Sequence, residues 1–312
     1  MRLSWVHGAV AVVLCLLVAT PAHAAQAADG DPGTPTITLT GPPPISDVVT
    51  TTGWYTPHHA ETITLFSPAG DGQYPAVVFV HGGAWGRAQP NSYELDWARD
   101  LAAKQHWVVA VIGYPTKVHN EQVVEPDALA EAITSVSKQS DVDSHAIALW
   151  GESAGGQLAL LAGYRDAMRL HPLVSGVVSI SGPTDMRTEF SSLAQRVLGA
   201  VTRFEGLTPR AARLANSPRY RVTSPVDLVR RSDPATFQAI SRHDQLVPPA
   251  QVTRLTRLLA NADVPHRTVW VSGTAHSTTL ESRRPAGSDR TVQQLAVAYL
   301  ERLFAAQRVR FA

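Results

Sequence analysis

Cysteine is nearly absent. The chain of 312 residues has one, Cys15, inside the apolar N-terminal run behind Leu14. That excludes a disulfide scaffold and a Cys-ligated zinc site. With the leader described below removed, it also excludes a thiol nucleophile. Long apolar runs are missing too. The longest, from Gly8 to Ala19, is shorter than the about 20 residues a membrane-spanning helix needs, so no stable membrane anchor is expected. Charge of one sign is also scarce: 27 basic residues meet 26 acidic ones, with no Lys/Arg block, which excludes a nucleic-acid footprint. Nucleotide and metal signatures are lacking, since no Gly-x-Gly-x-x-Gly, P-loop or His-x-x-x-His pattern occurs. His58 and His59 are adjacent, so on a strand they point to opposite faces. Asp29, Asp31, Asp141 and Asp143 lack the spacing of a calcium loop. No metal and no cofactor are inferred.

What is present reads as a globular protein, with 44% hydrophobic and 17% charged residues. The N-terminus has the three parts of a secretory signal: Arg2, the apolar run, and Ala22-His23-Ala24 as a cleavage site. Cleavage after Ala24, with Ala27 as the second candidate, sends the mature chain to an extracellular or periplasmic location. Gly- and Pro-rich stretches at 28–35 and 41–44 make residues 25–61 an extended leader, and the domain is expected to run from 62 to 312.

Strand and helix signals alternate from there. Ile63–Phe66, Ala76–Val80, Trp107–Ile112, Ala146–Trp150, Val177–Ile180, Thr236–Ile240 and Thr268–Val271 read as strands, several of them continuously apolar. Leu129, Ala132, Ile133 and Val136 follow helical spacing, as do Val292, Leu295, Ala296, Tyr299 and Leu303. Such alternation predicts an α/β domain, a mostly parallel sheet with helices on both faces. Residues 186–232 carry no clear strand and are read as a lid or insertion.

The chemistry centres on Gly151-Glu152-Ser153-Ala154-Gly155, which lies between the strand Ala146–Leu149 and the helical run Gln157–Ala167. This fits Gly-x-Ser-x-Gly, a strand-to-helix turn too tight for flanking side chains, which exposes the serine oxygen above a helix N-terminus. His81-Gly82-Gly83-Ala84-Trp85-Gly86 follows an earlier strand. Its paired glycines let backbone N–H groups approach an oxyanion. Gly83 and Ala154 are the expected donors, with Gly82 in support. His81 is read as a hydrogen-bonding pin for this loop, and Trp85 and Leu246 as apolar pocket walls. A serine nucleophile needs a base and an orienting carboxylate, here in the order Ser, acid, His. Asp244 and His276 each follow a strand and satisfy that order; Asp185 is the runner-up acid.

His81–Gly86, Leu149–Gly156, His243–Pro248 and Gly273–Ser277 together resemble the esterase/lipase group of α/β hydrolases with an HGG oxyanion loop. The nearer likeness is to hormone-sensitive-lipase-type esterases and to small carboxylesterases of the feruloyl- and acetylxylan-esterase kind. It runs from about Thr62 to the C-terminus. The resemblance implies an eight-stranded, mostly parallel sheet, the triad Ser153, Asp244 and His276, and ester hydrolysis without a cofactor. A small-molecule or polysaccharide-linked ester is the expected substrate. A lipase acting on longer acyl chains, an amide or formamide hydrolase and a serine exopeptidase share this machinery and remain open. A non-catalytic binding protein on the same fold is disfavoured because all three triad residues are present. Nine arginines in 186–232 keep that stretch in water and favour short acyl esters over lipid.

Overall fold

The apolar run Ala76–Val80 lies inside an eight-stranded sheet, paired on both sides with parallel neighbours. The computed structural model describes residues 48–55, 61–115, 126–186 and 221–311. Their strands are β1 (Val48–Trp54), β2 (Thr62–Pro68), β3 (Tyr74–Val80), β4 (Val108–Ile112), β5 (Val142–Glu152), β6 (Val174–Ile180), β7 (Ala235–Ser241) and β8 (His266–Val271). Their helices are α1 (Ser92–Gln105), α2 (Pro126–Ser137), α3 (Ala154–Asp166), α4 (Pro249–Asn261), α5 (Thr278–Glu281) and α6 (Val292–Phe311). The sheet order is β1-β2-β4-β3-β5-β6-β7-β8. β2 is antiparallel to both β1 and β4, and the strands from β4 across to β8 run parallel.

Alternation along β3 divides the core between the two faces of the sheet. Ala76, Val78 and Val80 pack with Leu129 and Ile133 of α2, Leu158 of α3 and Leu255 of α4. Val77 and Phe79 point the other way, against Trp97 and Leu101 of α1 and Leu300 and Phe304 of α6. A strand covered on both faces must be apolar at every position, and this arrangement accounts for the unbroken runs in β3 and β4. The stripe Leu129, Ala132, Ile133 and Val136 is buried as its spacing predicts.

Besides helices α4 and α5, two features depart from the sequence reading. Val48–Trp54 is a strand of the sheet, paired with β2 from Val48↔Pro68 to Trp54↔Thr62, so the domain begins before the expected boundary at residue 62. Its side chains are mostly exposed, so it carries no apolar alternation to announce it. Helix α1 is the second. Asn91 caps it: the Asn91 side chain accepts from Glu94 N, and the Glu94 side chain accepts from Asn91 N. The helix ends on His106 in the left-handed conformation.

The signal-peptide residues, most of the leader and residues 187–220 of the expected lid lie outside the described residues. The two ends of that lid segment meet. Met186 N donates to Ser224 Oγ at 3.0 Å, and Val226 N donates to Thr184 O at 3.1 Å. Residues 184–186 and 224–226 therefore lie together beyond the C-terminal end of β6. No described helix is long and apolar enough to cross a membrane.

Candidate active site

Because β3, β5, β7 and β8 run parallel, the loops that follow them emerge along one edge of the sheet, where ligands bind in open α/β folds. The loop after β3 carries Gly82 and Gly83, the turn after β5 carries Ser153, and the loops after β7 and β8 carry Asp244 and His276.

Ser153 has φ 50° and ψ −120°, a conformation a side chain rarely adopts, between the last residue of β5 and the first of α3. Its N–H donates to Ile180 O at 2.8 Å, which ties the turn to β6. The glycines are sterically required: a Cβ on Gly151 would lie 2.2 Å from Gly155 O. His276 Nε2 is 2.9 Å from Ser153 Oγ, and His276 Nδ1 is 2.8 Å from Asp244 Oδ2. The other carboxylate oxygen, Oδ1, accepts the N–H groups of Leu246 and Val247, both at 2.9 Å. The Asp244 side chain is fully buried. With both of its oxygens bonded, the carboxylate cannot rotate away from the imidazole.

The histidine loop is fixed from beneath. Ser241 Oγ donates to Ala275 O at 2.6 Å, and Ser277 N donates to Ser181 Oγ at 3.2 Å. Thr279 Oγ1 accepts from His276 N and donates to His276 O. None of these four residues was singled out from the sequence; each is a plain Ser or Thr whose role appears only when separate strand ends come together.

On the glycine-loop side, a Cβ on Gly82 would stand 3.4 Å from Ser153 Cβ, so the loop lies directly beside the serine. Ala154 N is at the first turn of α3, where backbone N–H groups have no helical partner. Gly83 has φ +122°, and Ala84 and Trp85 are also left-handed at φ 51° and 59°. His81 is fully buried, stacks on Tyr114 with ring centroids 4.3 Å apart, and contacts Gly82 O through Nδ1 at 2.7 Å. Burial pushes its pKa down to about 4, so the ring is neutral and Nδ1 carries the proton it donates. Trp85 is buried, and its indole N–H donates to Gln157 Oε1 at 2.7 Å. Leu246 is half-buried beside Asp244.

Asp185, the runner-up acid, is not joined to the imidazole. It pairs with Arg254, and its N–H donates to Gln251 Oε1 of α4. A feature the sequence reading missed lies beneath the serine turn. Glu152 and Glu281 are both buried, and Trp150 Nε1 donates to Glu281 Oε1 at 2.8 Å. Burial pushes Glu281 up to about 7 and drives Glu152 upward as well, its charge further opposed by Glu281. The pair favours holding a proton rather than two negative charges. Among the described residues, no group of three His, Cys, Asp or Glu side chains is placed to hold a metal ion.

The sequence matches the BD-FAE family over residues 63–259. No curated protein matches it significantly. Among solved structures, the chain is similar to carboxyl esterase 2 of the mycorrhizal fungus Tuber melanosporum, with TM-score 0.64 and 19% identity over 84% of this chain and 88% of that one. It is similar to a truncated carbohydrate esterase from gut microbiota, with TM-score 0.65 and 18% identity over 85% and 99% of the two chains. One of the Rhizomucor miehei esterases gives TM-score 0.66 and 19% identity over 86% of each chain. With the family matched over well more than half its length and this sheet order, the chain belongs to the BD-FAE family of α/β-hydrolase-fold esterases.

Proposed function

We propose that the chain is a secreted serine carboxylesterase that hydrolyses short-chain acyl esters through Ser153, His276 and Asp244. The observation that carries this reading is the continuous bridge from Ser153 Oγ through both nitrogens of His276 to Asp244. In the first step His276 Nε2 takes the proton of Ser153 as Oγ attacks the ester carbonyl. Asp244 holds the tautomer with Nδ1–H and stabilises the imidazolium. The N–H groups of Gly83 and Ala154, supported by Gly82, receive the carbonyl oxygen as it becomes an oxyanion; one such donor lowers the barrier by about 3 kcal/mol. His276 then gives its proton to the departing alcohol. A water, deprotonated by His276, attacks the acyl-serine and releases the acid.

The short-acyl preference is supported by the nine arginines of 186–232, which suit that stretch to water rather than to a lipid surface. Trp85 and Leu246 are proposed as apolar walls of a modest pocket. One similar structure is a carbohydrate esterase, so acetyl groups on sugars join the proposed substrates. Secretion rests on the signal sequence ending near Ala24.

The test combines Ser153→Ala with p-nitrophenyl esters of rising chain length and an acetylated xylan. The variant should fold, lose covalent labelling by a serine-directed phosphonate, and keep only a background of about 10³-fold over water. Acetyl and butyryl esters should be cleaved much faster than long ones, with no rate jump past the solubility limit. Near-wild-type turnover in folded Ser153→Ala would overturn the mechanism. Long-chain preference with interfacial activation would instead make the protein a lipase.

A further inference from the structure

The Gly82 carbonyl is held from two directions. His81 Nδ1 donates to it at 2.7 Å, and Arg87 NH2 donates to it at 3.1 Å. Arg87 is itself gripped by Glu94, which accepts NH1 on Oε2 at 2.7 Å and NH2 on Oε1 at 2.5 Å. Glu94 is buried and cannot swing, because its Oε2 also accepts Asn91 N in the capping box of α1. A rigid helix end thus reaches the glycine loop through one planar guanidinium fork, a geometry a lysine amine does not reproduce.

The peptide joining Gly82 to Gly83 is planar, so the Gly82 C=O and the Gly83 N–H point in opposite directions. Gly82 packs against Ser153 on one side, and Arg87 binds its carbonyl oxygen. Fixing that oxygen fixes where the Gly83 N–H points. Gly83 must also be glycine for this contact: a Cβ there would stand 2.9 Å from Arg87 Cβ and 3.1 Å from Arg87 Nε.

We propose that Arg87, clamped by Glu94, is a positioning residue that sets the Gly82–Gly83 peptide plane and so preorganises the Gly83 N–H for the oxyanion. The assignment rests on the serine-esterase reading above. Arg87 needs no contact with substrate. Its effect belongs to the transition state, because a misaimed donor weakens binding of the oxyanion far more than binding of the neutral ester.

The experiment compares wild type with Arg87→Met, Arg87→Lys and Glu94→Gln, measuring kcat, KM, melting temperature and affinity for an alkyl trifluoromethyl ketone. Ser153 Oγ adds to the ketone carbon and its proton passes to His276, leaving an alkoxide in the oxyanion site. Both Arg87 variants should lose about 10- to 100-fold in kcat, with KM within about twofold and ketone affinity falling in step with kcat. Glu94→Gln keeps a capping-box side chain and should lose about 3- to 10-fold in the same two quantities. If Arg87→Met does not fold, the other two variants decide. Arg87→Lys with kcat and ketone affinity within about threefold of wild type overturns the proposal, as does a kcat loss that ketone affinity does not follow. A wild-type protein that a serine-directed phosphonate fails to label overturns the esterase mechanism itself, and the clamp with it.

Discussion

A side chain on Gly155 would sit 2.0 Å from the carbonyl oxygen of Val80 and 2.4 Å from that of His81. The first turn of α3 therefore lies in backbone contact with the end of β3, and the serine turn and the glycine loop are held at one fixed spacing.

Gly155→Ala has no room to relax, since its obstacles are main-chain oxygens. It should destabilise the domain by about 1–3 kcal/mol and lower turnover of what remains folded, because the two halves of the proposed oxyanion site are pushed apart. Gly273→Ala is the contrasting case. Nothing lies within 4 Å of its added Cβ, and only φ +90° opposes it. A loss of about 1–2 kcal/mol is expected there. Denaturant titration beside initial rates separates the two; equal behaviour would refute the close-approach account.

Asp244→Asn should reduce turnover by about 10⁴-fold, since a neutral amide no longer fixes the Nδ1–H tautomer of His276. Asp185→Asn should leave turnover within about threefold while lowering the melting temperature, because it removes the charge that Arg254 meets. Rates reversed between the two variants would move the orienting carboxylate to the loop after β6.

Glu281 predicts a pH-dependent stability. Its pKa rises from 4.5 unfolded to about 7 folded, chiefly by burial, so the folded state binds the proton more tightly. The stabilisation is complete below pH 4.5, fades as pH rises, and is lost once pH passes about 7. Glu281→Gln cannot ionise, so the melting temperature of the wild type relative to the variant should fall between pH 5 and pH 8. A domain of this size moves by about 2–4 °C per kcal/mol. Parallel curves for the two proteins would mean that in this window the proton of the pair is exchanged by Glu152 or not at all.

The central parallel strands β3 and β4 were legible because they are covered on both faces and must be apolar almost throughout, as in Ala76–Val80. Ser153 was legible because the steric demands of its turn leave glycines at 151 and 155. Asp244 and His276 followed from chain order and strand ends. β1 escaped because its outward Thr and Val side chains show no apolar alternation. α1 escaped because charged residues crowd its solvent side, although Asn91 and Glu94 at capping-box spacing were there to be read. α4 was missed despite Val252, Leu255 and Leu259 at helical spacing behind Pro249. The Arg87–Glu94 fork and the Glu152–Glu281 pair have no sequence signature, because each is defined by where a charge is buried.

Among the described residues, β8 is the last strand at its margin of the sheet, bonded along one side only, to β7. The loop that follows it holds His276. A boundary strand opens at lower free energy than the interior of a sheet, so a local fraying event can carry His276 out of reach of Ser153 while β3, β5 and β6 stay assembled. Heat or denaturant should consequently extinguish hydrolysis before the far-ultraviolet signal of the helices declines. Any added interaction that staples β8 to α6 would extend the working temperature range without touching the reacting groups.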